Sequence, residues 1–228
     1  MSKPIIVVSF NYRLAAWGFL AGNEIAAEGG LNNGLQDQRL ALRWVQENIG
    51  AFGGDPTKVT IWGESAYFLV VLGSDLRGGG SVSVHIAAYN GRDDGLFRGA
   101  IIESGVQFNP THSGTSQRAN DDFQKAVNSA GCAVATDQLQ CLRSSSYDSL
   151  YAAFLPVLRI PYLSPVIDGS LIPQDLVQAY KLGRFVKVPI IIGDNTDEGS
   201  GIASVPFLRF DFDFQIRNFI LGTPLRID

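Results

Sequence analysis

Residues 34–66 read GLQDQRLALRWVQENIGAFGGDPTKVTIWGESA, and the order of signals in them sets the fold class. Leu35, Leu42, Val45 and Ile49 recur at helical spacing and form one apolar face, with Gln38, Arg39, Arg43 and Gln46 largely off it. Gly50 and then the turn residues of GGDP end the helix, and Val59–Trp62 follows as a short β-branched run. Working outward, Ile5–Phe10, Ala100–Ile102 and Val188–Ile192 are runs of the same kind. They are continuously apolar rather than alternating, as in strands covered on both faces. Strand, helix, strand in that order predicts an α/β fold with a mostly parallel central sheet and helices on both faces. Further helices are expected over Gln117–Ala130, Tyr147–Leu155 and Asp175–Lys181, the first two separated by a cysteine loop. Residues 206–228 fit a strand or a helix. No repeat or low-complexity linker divides the chain, which reads as one domain or part of one.

Composition removes several classes of function. The 228 residues are 46% apolar and 18% charged, with a net charge of −4. No basic stripe exists to neutralise phosphates, so a nucleic-acid partner is not expected. No apolar run approaches the roughly 18 residues of a membrane span. The chain opens MSKPIIVV, without a secretory apolar region followed by a cleavage site. Cys132 and Cys141 are nine positions apart, a spacing that suits two unrelated buried thiols or one short-loop disulfide. Neither histidine nor clustered acid accompanies them, which argues against zinc, and no cofactor or metal is expected.

The chemistry concentrates at Gly63–Ala66, GESA, directly after a strand run. Strand followed by Gly-x-Ser-x-Gly is a nucleophile elbow: the chain turns so sharply into a helix that the serine hydroxyl stands exposed at the end of the sheet. Glycine is needed two places before and two after, because a Cβ at either would strike backbone. Here Tyr67 occupies the second place, and eleven residues, Tyr67–Arg77, precede a Gly-Gly-Gly-Ser-Val run. Removing those eleven restores GESAGGGSVSVH. Tyr67–Arg77 is read as an insertion with two origins open: a substitute helix leaving the elbow, or a retained intron or misplaced splice boundary. The second is favoured, since an apolar insert disrupts the most constrained turn of such a unit.

Four blocks, VSFNYRLAAWGFL, residues 34–66, GRDDGLFRGAIIESG and VKVPIIIGDNTDEGS, resemble successive segments of the type-B carboxylesterases, a family that includes fungal lipases and the cholinesterases. CLRSSS and SPVIDGSLIP fit a fungal or microbial member. The resemblance implies an α/β-hydrolase fold, present here in part, and hydrolysis of carboxylic esters, lipid esters included, through an acyl-enzyme. Ser65 matches the nucleophile, Ala66 supplies an oxyanion amide, and Glu198 in TDEG matches the triad acid. Glu64 matches an acid near the site, or is a hydrogen-bonded structural carboxylate. Cys132 and Cys141 match a family disulfide, which implies an oxidising, extracellular compartment.

Departures from the family pattern matter as much. The Gly-rich oxyanion segment that precedes the first strand in the family is not among these residues, and losing one donor of such a hole costs about 10² to 10³ in turnover. The triad runs serine, acid, histidine in this fold, yet the two histidines, His85 and His112, both precede Glu198. They are expected on a helix surface, in a helix beginning near Gly80, and in a polar loop. Without a general base Ser65 keeps its proton. The isolated chain is therefore expected to be inactive although its family is enzymatic. The competing reading is a non-catalytic relative that binds proteins, and the presence of both Ser65 and Glu198 counts against it.

Overall fold

A computed structural model of the chain describes residues 4–64, 78–105, 112–158 and 163–196. The chain divides into two units, residues 1–192 and 193–228, and of the second only residues 193–196 are described. The first opens with two short helices, α1 (Ala15–Phe19) and α2 (Asn23–Ala27), and a long one, α3 (Asn33–Asn48). Strand β1 (Thr60–Glu64), helix α4 (Gly78–Gly91) and strand β2 (Gly99–Glu103) follow. Then come α5 (Gln117–Ser129), α6 (Gln138–Ser144), α7 (Tyr147–Leu158), α8 (Leu176–Lys181) and β3 (Ile190–Gly193).

The sheet order is β1-β2-β3, with β1 and β2 parallel in the register Thr60↔Gly99 to Glu64↔Glu103. Parallel neighbours joined through α4 are the strand–helix–strand unit that the sequence predicts. Ile61, Ala100 and Ile102 of the sheet share a core with Leu42 of α3 and Val82 and Ile86 of α4. A second core joins Leu35 of α3 and Val84 of α4 to Leu171, Ile172 and Leu176. A third, around Phe123, Val127 and Phe154, packs α5 on α7 beneath α1.

Local chemistry explains the element boundaries. Asn32, at φ 56°, precedes α3 with its side chain turned away from the helix. Its amide nitrogen donates to Val166 O at 2.9 Å and Asp168 Oδ2 at 2.7 Å, and its Oδ1 accepts from Val166 N at 2.8 Å. That staple docks SPVID against the start of α3. Ser116, Asp137 and Asp175 cap α5, α6 and α8 by accepting from the amides of Ala119, Gln140 and Gln178.

Three expectations change. Residues 4–14 belong to no strand, so Ile5–Phe10 is exposed chain rather than a buried strand. An apolar β-branched run makes a strand only where a neighbour supplies the ladder, and none does so among the described residues. Nor are β1 and β3 covered on both faces: Ile61 is buried while Trp62 is 64% exposed, and all of β3 is exposed. The cysteine loop also contains a helix, α6, whose Asp137 cap was its visible sign. Residues 206–228 lie outside the described residues.

Candidate active site

Ser65, Ala66 and Glu198 lie outside the described residues, as does Tyr67–Arg77. What is described is the frame on either side of the nucleophile position. β1 runs extended to Glu64, and α4 starts at Gly78. These two ends touch. A Cβ on Gly63 would stand 2.2 Å from the carbonyl carbon and oxygen of Gly78, and one on Gly78 would stand 2.8 Å from Glu64 N. The chain thus leaves β1 and re-enters α4 at a single place. Gly78, at the start of α4, is the glycine packed against Gly63 and Glu64 at the end of β1.

A second backbone contact locks this frame. After β2 the chain turns through Ser104 at φ 53° into Gly105. A Cβ on Gly105 would meet Gly79 Cα at 2.4 Å, and one on Gly79 would meet Gly105 Cα at 2.8 Å. Main chain therefore lies on main chain at the first turn of α4. The sequence reading missed Gly105; its signal was a glycine two residues past a parallel strand. Helix starts leave their first amide N–H groups without intrahelical partners and carry partial positive charge. Such an end, held at the carboxyl edge of a parallel sheet, suits binding of developing negative charge. Glu64 and Glu103, ladder partners, bring two carboxylates to the same edge.

Behind the frame, α4 is buried from Gly79 to Ala88. Its small residues leave room for polar side chains of α3, so Gln38 and Arg39 are 5% and 2% exposed rather than on a wetted face. Gln38 Nε2 donates to Ser81 Oγ at 3.1 Å, which turns its Oε1 to His85 Nε2 at 2.7 Å. His85 therefore carries its proton on Nε2, and Nδ1 has no partner. Burial, with a smaller push from the Arg39 charge, lowers its pKa to about 3. The expected surface histidine is thus an interior one, neutral and committed to Gln38, and cannot serve as general base. Arg39 is paired with Asp94 and lies 5.0 Å from the Tyr89 ring, whose centroid Arg92 approaches to 4.1 Å. His112 sits where its carbonyl accepts from Ile167 N at 2.9 Å, beside the Ser113–Ile167 bridge.

Cys132 and Cys141 form a disulfide joining the end of α5 to α6, which settles the open reading of the two thiols. Among the described residues no helix is long and apolar enough to cross a membrane.

A profile described as the Carboxylesterase family matches residues 1–219. The chain belongs to the carboxylesterase family. It is 44% identical over 249 residues to Lipase 2 of Diutina rugosa, a match covering 100% of this chain and 42% of that protein. The secreted triacylglycerol lipase LIP1 of Gibberella zeae is 42% identical over 207 residues, covering 87% of this chain and 34% of its own. The crystal structure of EstA from Aspergillus niger superposes with a TM-score of 0.71 at 41% identity, over 84% of this chain and 36% of that one. The fold is accordingly part of an α/β-hydrolase. The chain spans about two fifths of the length of these carboxylesterase relatives.

Proposed function

We propose that the protein to which these residues belong hydrolyses carboxylic esters, with Ser65 as the nucleophile of an acyl-enzyme mechanism. One observation carries the reading: the end of β1 and the glycine-rich start of α4 meet across Gly63 and Gly78. The residue after Glu64 is then in the strand–turn–helix context that gives Gly-x-Ser-x-Gly its meaning. Ser65 Oγ attacks the ester carbonyl and the tetrahedral oxyanion is held by the amide of Ala66. A histidine oriented by Glu198 takes the serine proton and returns it to the departing alcohol. Neither His85 nor His112 suits that role, and we assign it to a histidine outside these 228 residues. Tyr67–Arg77 is an insertion into the elbow. The disulfide and the secreted lipase among the relatives favour an extracellular protein acting on lipid or small-molecule esters.

A fluorophosphonate probe tests this in the protein carrying its flanking regions. Covalent labelling at Ser65, with nitrophenyl ester hydrolysis lost in Ser65→Ala, is expected. The 228-residue chain alone turns over essentially no ester. Hydrolysis that survives Ser65→Ala, or a label on another residue, overturns the assignment.

A further inference from the structure

Helix α7 carries an aromatic cluster on its outer side. Tyr147 and Tyr151, one turn apart, are 68% and 48% exposed, and both lie against Trp17 of α1. The Trp17 ring is 5.8 Å from that of Tyr147 and 6.3 Å from that of Tyr151, with interplanar angles of 18° and 26°. The two tyrosine rings are 6.2 Å apart at 27°. The three planes are thus close to parallel. Buried Phe154 meets Trp17 edge-on at 4.9 Å and fixes it to the core that α5 and α7 share. Rings that hold one another in this way lose little freedom when a ligand lies on them. Asp148 follows Tyr147 and stands three positions before Tyr151 on the exposed helix, so a carboxylate rims the cluster. α7 has no basic residue, and Arg143 before it is paired with Glu28 at 2.6 Å.

We propose that Trp17, Tyr147, Tyr151 and Asp148 form a binding surface for an uncharged saccharide. A pyranose ring presents C–H groups on its face and hydroxyl donors at its edge. The first suit an aromatic platform, and the second suit a carboxylate, which only accepts. Charge selects this partner over others. A helix that lies on lipid flanks its apolar side chains with lysine or arginine; α7 has neither, and Asp148 would be dehydrated there. An anionic ligand would be repelled by the same carboxylate. Size is against a protein partner, a second copy included. The exposed parts of Tyr147 and Tyr151 amount to about 200–300 Å² by the usual area of such side chains. A stable complex needs about 800 Å² from each partner.

Binding is read without turnover, so the result is independent of the Ser65 assignment. The 228-residue chain, and the protein carrying its flanking regions, are run in native gels containing soluble β-1,4-glucan, xylan or galactomannan. At least one polysaccharide should retard both. Tyr147→Ala and Asp148→Ala should each weaken binding about fivefold or more, the one losing a stacking contact and the other a charge-assisted hydrogen bond. Both variants should unfold as cooperatively as the parent, because the two side chains are exposed. Tyr147→Leu keeps apolar area but removes the ring, and should bind as weakly as Tyr147→Ala. The proposal is overturned if no polysaccharide retards the chain, if either alanine variant binds as the parent does, or if Tyr147→Leu binds fully. It is equally overturned if only the 228-residue chain is retarded, since the rest of the protein then covers the rings. Two further results would assign the surface elsewhere and overturn it: co-sedimentation with phosphatidylcholine vesicles that Tyr147→Ala abolishes, and a dimer that Tyr147→Ala disperses.

Discussion

Gly63→Ala probes the frame of the site directly. A methyl group at Gly63 would stand 2.2 Å from the Gly78 carbonyl carbon and oxygen and 2.8 Å from Gly79 N. Carbon atoms rest about 3.5 Å or more apart, so β1 and the start of α4 would have to separate by about 1.3 Å. Neither side yields cheaply. The obstructing atoms are main chain, and Gly79 is itself pressed on Gly105. Overpacking costs about 1–3 kcal/mol, and the upper end applies where no side chain can rotate away. Gly50→Ala is the control: a Cβ there meets nothing within 4 Å and its φ is ordinary. That change is neutral or stabilising by about 0.4–1 kcal/mol. Urea unfolding followed by fluorescence of the three tryptophans measures both. With m near 2–3 kcal/mol/M, Gly63→Ala should lower the midpoint by about 1 M while Gly50→Ala does not lower it. Equal midpoints for the two variants would refute the contact between Gly63 and Gly78, and with it the elbow.

His85 makes stability depend on acid. Its folded pKa, about 3, lies below the ordinary 6.5, so the unfolded chain binds a proton that the folded one refuses. Stability is unaffected above about pH 6.5 and falls as pH drops from there towards 3. The urea midpoint should decline over that range, and His85→Asn should make the decline shallower; identical pH profiles would remove His85 as its source. Breaking the disulfide with paired Cys132→Ser and Cys141→Ser changes, across a separation of 9 residues, should cost about 2.5 kcal/mol by loop entropy. Thermal unfolding with and without reductant checks this, and a double variant as stable as the oxidised parent would contradict it.

How far the sequence could be read depended on whether the physics was local. Helix α3, strands β1 and β2 and the capped helices α5 and α8 were legible because period, caps and turn residues are carried within each segment. Ile5–Phe10 misled because its composition describes the environment of a strand and says nothing of whether the neighbour is present. Gln38, Arg39 and His85 misled for a related reason. Each looks polar and outward on its own helix, and each is buried because the small residues of α4 allow two helices to share a polar seam. The pairing of Gly79 with Gly105 joins segments 26 positions apart in numbering and has no sequence period to announce it. At the site, Gly63, Glu64 and the elbow glycine were legible from one motif. The roles of Ser65, Ala66 and Glu198 rest on that motif and on family membership.

The ends of β1 and α4 are already as close as an uninterrupted elbow requires. Two residues, Ser65 and Ala66, can span at most about 11 Å between the Cα atoms of Glu64 and Gly78. The structure holds the Cβ position of Gly78 2.8 Å from Glu64 N. Deleting Tyr67–Arg77 shortens the connection from thirteen residues to two, which by closure entropy stabilises the fold by up to about 2 kcal/mol. Thermal unfolding of the deletion variant is the most direct measurement. A cooperative transition at or above the parent melting temperature is predicted; a chain that no longer unfolds cooperatively would contradict the account.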